Sequence, residues 1–133
     1  MEVMTDLTQD VTQLAELADE HLALARDAEH GRSAHLFLHD GPLRQSVIAL
    51  TAGSVLEEHN APPACSLHVV RGRVRLLSEV GDAELAAGEV MRVPQIRHGL
   101  TAVADAVMVL TTVTANPEPV VVYDTRRTGG NSA

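Results

Sequence analysis

The sequence predicts an all-β domain, a sandwich or a closed barrel, carried behind one amphipathic helix. Three observations lead there. Turn residues cut residues 34–123 into about nine short apolar segments, a spacing typical of antiparallel sandwiches and barrels. The apolar residues are nearly all aliphatic, Phe37 and Tyr123 being the only aromatics, which suits β-branched side chains packed face to face. Before residue 34 the apolar spacing is helical instead.

Over residues 6–28 the residues Leu7, Val11, Leu14, Leu17, Leu22, Leu24, Ala25 and Ala28 recur mostly at steps of three and four, the period of a helix with one apolar stripe. Thr5 or Asp6 can cap its start, Arg26 and His30 suit its negative end, and Gly31 can supply a left-handed stop. Such a stripe has to lie on something, either its own barrel or a second subunit. Strands are expected at 34–39, 43–50, 55–59, 67–70, 73–78, 84–85, 90–93, 106–114 and 120–123. Asp40-Gly41-Pro42, Ala52-Gly53, Ala61-Pro62-Pro63, Arg71-Gly72, Val80-Gly81-Asp82 and Ala87-Gly88 punctuate them. Closure of these strands on one another removes exposed edges. Three regions follow: a helical extension (1–33), the barrel (34–123) and a tail (124–133) with nothing to bury, expected to be disordered.

Length and charge bound the function. A chain of 133 residues is one domain, long enough to bury roughly two thirds of its unfolded surface. The formal charge of −8 repels phosphate backbones and anionic lipid, and two aromatics cannot build a base-stacking platform. Nucleic acid and membrane surfaces are therefore excluded as partners. No apolar run reaches the roughly 20 residues that span a bilayer, and Glu2, Asp6 and Asp10 stand where a secretory signal carries basic residues. The single cysteine excludes an intrachain disulfide and fits a reducing, cytoplasmic compartment.

A histidine segment sets the candidate site. Gly53, five residues, His59, one residue, Ala61, three residues, Cys65, six residues and Gly72 form one frame; Gly88, five residues, Pro94 and then His98 form a second. These frames resemble the two signature motifs of the cupin superfamily. In the first motif the glycines and the first His match, while Ala61 stands in place of the second His and Cys65 in place of the Glu. In the second, Gly88 and Pro94 are in register, His98 comes one residue early, and the closing Asn is missing. The stretches Leu43-Arg44-Gln45, Glu58-His59, Leu67 to Val74 and Ala87 to Val90 are similar to a group of small bacterial single-domain cupins with a helical N-terminal extension. The resemblance spans roughly residues 34–113. It implies a double-stranded β-helix, the cupin or jelly-roll barrel, with one N-terminal amphipathic α-helix. It also implies a cavity at whose wall cupins hold a metal by three His and a carboxylate.

On this resemblance His59, Cys65 and His98 converge on the interior, and alternation along the strand puts Glu57 on the face of His59. Nitrogen and sulfur donors favour zinc over iron as a single divalent ion. No metal at all is an equal alternative, because cysteine is often buried merely as a small apolar group and histidines can be satisfied by hydrogen bonds. His68 is out of phase with Leu67 and Val69 and is expected to face away from the interior. His35 and His39 can reach the barrel mouth, although exposure beside a loop is the commoner outcome. Arg44, Arg71, Arg73, Arg75, Arg92 and Arg97 lie mostly beside turns or on outward positions, and most of them read as solvated charges.

Three functions compete. The first is a small-molecule binding cupin whose cavity is lined by His59, Cys65, His98 and aliphatic side chains, with a reduced metal site. The second is a metal-dependent oxygenase or isomerase in which His59 or Glu57 moves a proton. The third is a structural or regulatory partner without cavity chemistry, which a completely filled barrel interior would favour. Ligand positions are lost while the frame that shapes the barrel is kept, so the first is expected. The helix stripe and the aliphatic segment 120–123 lead to the expectation of a two-fold homodimer.

Overall fold

The structure, a computed structural model, describes residues 7–59 and 64–114, with residues 58 and 59 described by backbone alone. A 3₁₀ turn, Leu7–Asp10, leads into one helix, α1, Leu14–Asp27, and nine strands follow. They are β1 (Arg32–Asp40), β2 (Leu43–Leu50), β3 (Val55–His59), β4 (Ala64–Arg71), β5 (Arg73–Ser78), β6 (Ala83–Ala86), β7 (Val90–Arg92), β8 (His98–Ala102) and β9 (Ala106–Val113). The larger sheet has the order β1-β2-β9-β4-β7 and the smaller the order β3-β8-β5-β6. Every described pair is antiparallel. The chain crosses between the sheets after β2, β3, β4, β6, β7 and β8, and this wraps them into the expected jelly-roll barrel.

Period-two alternation splits the larger sheet into two cores. Ile48 and Leu50 on β2, Cys65, Leu67 and Val69 on β4, and Ala106 and Met108 on β9 face inward and meet Val74, Leu76, Leu85 and Leu100 of the smaller sheet. The intervening residues Val47, Ala49 and Val107 face outward. There α1 covers them with Ala18, Leu22 and Ala25, joined by Leu17 and Phe37. The stripe therefore packs on its own barrel, the simpler of the two expected fates.

Two arginines fasten the helix at its ends. Near its C-terminus Arg26 bonds Asp105 at 2.9 Å. Toward its N-terminus Arg71 pairs with Asp19 and donates to the Ala15 carbonyl at 3.2 Å. The helix begins later than the periodicity predicts. Val11 and Thr12 are β-branched and resist helix, and the N-cap is Gln13 with no side-chain cap bond; the expected caps Thr5 and Asp6 lie outside the described residues. At the other end Ala28 is the C-cap, and Gly31, at φ +69°, instead turns the chain into β1.

Strand boundaries shift in instructive ways. β1 starts at Arg32 and β4 at Ala64, earlier than expected. β8 was missing from the expected strands because His98-Gly99-Leu100-Thr101-Ala102 carries a glycine in its middle and few β-formers; central pairing to β3 and β5 overrides that weak propensity. The expected strand 120–123 and the tail lie outside the described residues. Gly72 takes φ +78° in the tight β4–β5 connection, and a Cβ there would sit 2.0 Å from the Asp105 carbonyl oxygen. Only glycine fits.

Candidate functional site at the His98 end of the barrel

The strand registers place the site. Arg44 of β2 pairs with Thr112 of β9, and Thr112 pairs with Cys65 of β4. Ile48 and Leu50 are inward on β2, so Arg44 shares their face. A row Arg44, Thr112, Cys65 therefore closes one end of the interior wall. On β1, His39 pairs with Arg44 and extends the row as an exposed residue. From the facing sheet His98 opens β8 and pairs with His59 on one side and Ser78 on the other.

His98 is 6% exposed. Its Nδ1 lies 2.9 Å from the Ile96 carbonyl oxygen. A carbonyl only accepts, so Nδ1 carries a proton and donates it there. Cys65 is buried and its thiol pKa is pushed up by burial alone. The thiol form prevails at neutral pH and the sulfur is a poor nucleophile. Both side chains line a chamber of about 40 Å³ whose other walls are aliphatic, among them Leu56, Leu67 and Leu100. An open depression of about 580 Å³ also reaches Cys65, from the side of β7 and the loop after it, where Ser66, Arg92, Gln95 and Thr111 line it.

The structure brings together two of the expected residues, Cys65 and His98. His59 sits opposite His98 in the β3–β8 register; its side chain is outside the description, as is Ala61. Glu57 is exposed, whereas Leu56 beside it packs against the core. The alternation expected to put Glu57 on the face of His59 does not run unbroken between them. A bulge between Leu56 and His59 inserts one residue against β8 and breaks the alternation that would tie the two together. Nothing in Leu56-Glu57-Glu58-His59 marks that bulge in the sequence. His68 lies on the outward phase of β4, as expected, and lines a hollow beneath the start of α1 with Asp10, Phe37 and Gln45. His35 is exposed and stacks on His21 of α1, ring centroids 5.6 Å apart.

Arg44 departs from the outward, solvated placement expected of most of the arginines: it is half-buried and lies on the inner face of β2. Its Nε is buried and has no hydrogen-bond partner. The signal was available: alternation back from Ile48 and Leu50 puts Arg44 on the inner face.

The described donors do not by themselves make a metal centre. Among the described residues no three His, Cys, Asp or Glu side chains are placed to hold an ion. Cys65 and His98 are two donors where zinc takes at least three from a protein, and burial favours the thiol over the ligating thiolate.

No family model matches the sequence, and no curated protein does either. Solved structures do match. A cupin-2 domain protein from Shewanella frigidimarina aligns over 81% of this chain and 99% of its own, with a TM-score of 0.63 at 12% identity. The chain has the cupin fold. At this end of a cupin barrel the likeness stops short of chemistry. A conserved protein of unknown function from Streptococcus pyogenes aligns over 87% of this chain and 90% of its own, at TM-score 0.60 and 20% identity. Salicylate 1,2-dioxygenase from Pseudoaminobacter salicylatoxidans aligns at TM-score 0.62 and 17% identity over 75% of this chain but only 31% of its own. One cupin barrel thus serves dissimilar proteins, and fold alone does not choose among their functions. No helix among the described residues is long and apolar enough to cross a membrane.

Proposed function

We propose that this cupin domain is a small-molecule binding module whose ligand enters through the depression beside β7 and reaches the polar end of the barrel. The supporting observation is the position of Cys65, which lines both the 580 Å³ depression and the 40 Å³ chamber. The depression falls within the roughly 300–1,000 Å³ of ordinary ligand sites, and the chamber is far below it. A metabolite-sized molecule therefore rests mainly in the depression and sends one small group inward. There it meets the His98 imidazole, a thiol on Cys65 and a shell of aliphatic side chains.

Fragment titration on the isotope-labelled full chain tests this. With a panel of uncharged, carboxylate and cationic fragments, at least one class should shift the resonances of Cys65, His98 and Arg92 together. No shift there with any class would end the binding reading.

A second reading, a zinc site favoured over iron, draws support from the position of His59 opposite His98. Elemental analysis separates the two. Metal near one equivalent per chain, lost in His98→Ala, supports a metal cupin of the oxygenase or isomerase kind; trace metal in both proteins leaves the binding module. The nearly filled interior supports the third role, a structural partner, only if the fragments fail. The homodimer carries over as a proposal, resting now on the paired, exposed Leu43 and Val113 and no longer on the helix stripe. A monomer by light scattering at micromolar concentration overturns it. A cytoplasmic setting belongs to the same reading, since the one cysteine remains a free thiol.

A further inference from the structure

A half-buried arginine with a buried, unpartnered Nε is the one group at this end that the fold does not explain among the described residues. Arg44 stands on the interior face of β2 with its Nε shut off from solvent and unpartnered. The described ion pairs engage Arg26, Arg71, Arg73 and Arg75. Leaving a charged donor desolvated and unmatched is costly, and proteins rarely tolerate it without a functional reason. The chain carries 18 acidic residues against 10 basic ones, so carboxylates were plentiful had the fold needed one here.

The neighbours define what would complete the site. Thr112 is next to Arg44 in register and offers a hydroxyl, and Cys65 follows on the far side of β9. Strands about 4.8 Å apart put the Arg44 and Cys65 backbones about 10 Å from one another, a span an arginine side chain can largely cross. Below lies the largely aliphatic chamber, which at about 40 Å³ is far smaller than an ordinary ligand site and suits a short apolar group. A planar guanidinium fork matches a carboxylate with two parallel hydrogen bonds, which a single ammonium cannot do.

We propose that Arg44 anchors the carboxylate of a small organic acid at the mouth of the barrel, with Thr112 beside it and the acid's short apolar end directed at the chamber between Cys65 and His98. The inference rests on the binding reading above and narrows it to one ligand class.

The test uses the full chain and sodium propionate, with sodium chloride at equal ionic strength as the control. Propionate should shift the Arg44 Nε–Hε resonance to saturation, and chloride should leave it in place. Arg44→Gln should weaken propionate binding at least tenfold, and Arg44→Lys should fall between the two. Thr112→Val, which preserves shape, should weaken binding by a smaller factor and serves as the second variant should Arg44→Gln fold poorly. An unmoved Arg44 resonance, undiminished binding by Arg44→Gln, or a response to phosphate but not to propionate overturns the assignment. If uncharged or cationic fragments still shift Cys65 and His98 in that event, the binding module survives and only its ligand class is wrong.

Discussion

The two faces of β2 and β9 are built from alternate residues of the same strands, and they are treated in opposite ways. The outward set Val47, Ala49 and Val107 is sealed under α1, and the helix is tied down by Arg26 to Asp105 and by Arg71 to Asp19. Both arginines that reach across this seam have a carboxylate partner. The inward set is aliphatic from Leu50 to Ile48 and then turns polar toward one end, through Ser46 to Arg44 and across to Thr112. That end holds the orphaned Nε. A sealed face with matched charges reads as stability, and an unsealed end with an unmatched one reads as a place for a ligand.

Cavity-forming substitutions should break the comparison most forcefully on the structural side. Met108 is wholly buried between the sheets, so Met108→Ala should cost about 2–5 kcal/mol in chemical denaturation. A cost under about 1 kcal/mol would mean that this interior is not packed as described. Gly72→Ala follows. The added Cβ meets backbone, not a movable side chain, and the φ is left-handed besides. Destabilisation of at least about 2 kcal/mol is expected from the combined strain, measured by thermal melting with ligand absent.

Arg44 should respond with the opposite sign. Replacing a half-buried arginine whose Nε is buried and unmatched by a residue of similar length removes a desolvation penalty without removing a partner. Arg44→Met is therefore expected to leave the ligand-free protein as stable as before or more stable by about 1 kcal/mol, while abolishing propionate binding. A loss of stability of similar size would mean that Arg44 has a structural role, and the contrast between the two faces would dissolve.

The barrel was legible in the sequence because its cues are local. Turn chemistry and alternation located most strands to within a few residues, and the glycine frame drew attention to positions such as Gly72, where the backbone itself excludes any side chain. β8 escaped because its strand character comes from two neighbours in space and not from His98-Gly99-Leu100-Thr101-Ala102 itself. The site was half legible. Cys65 and His98 were expected to meet and do line one chamber. The face of Glu57 relative to His59 was not legible, because a bulge is a property of pairing and interrupts the alternation between them. Arg44 was missed for a different reason. A charged residue two positions from a turn defaults to solvent in any composition-based reading, and only the register with Thr112 and Cys65 makes it a wall of the barrel.

The smallest expected effect sharpens the other side of the comparison, the matched charges that hold the helix. The Asp105 carboxylate accepts from the Ala52 amide at 2.8 Å and from Arg26 at 2.9 and 3.2 Å. Those donors, the amide first and the guanidinium second, hold its pKa below the usual aspartate value. Because the folded value is the lower one, the carboxylate stabilises the fold at pH above the ordinary aspartate range near 4, and that contribution fades as pH falls through the depressed value. The pair is well exposed, with Arg26 and Asp105 side chains at 56% and 37%, so screening limits it to a few tenths of a kcal/mol. Asp105→Asn should therefore lower stability slightly at neutral pH and low salt. The deficit should shrink in high salt and disappear at acid pH, where the native carboxyl is itself neutral. A deficit that stayed constant with pH and salt would point to the hydrogen bond from Ala52 alone, and the helix would then be held by its apolar stripe and not by its charges.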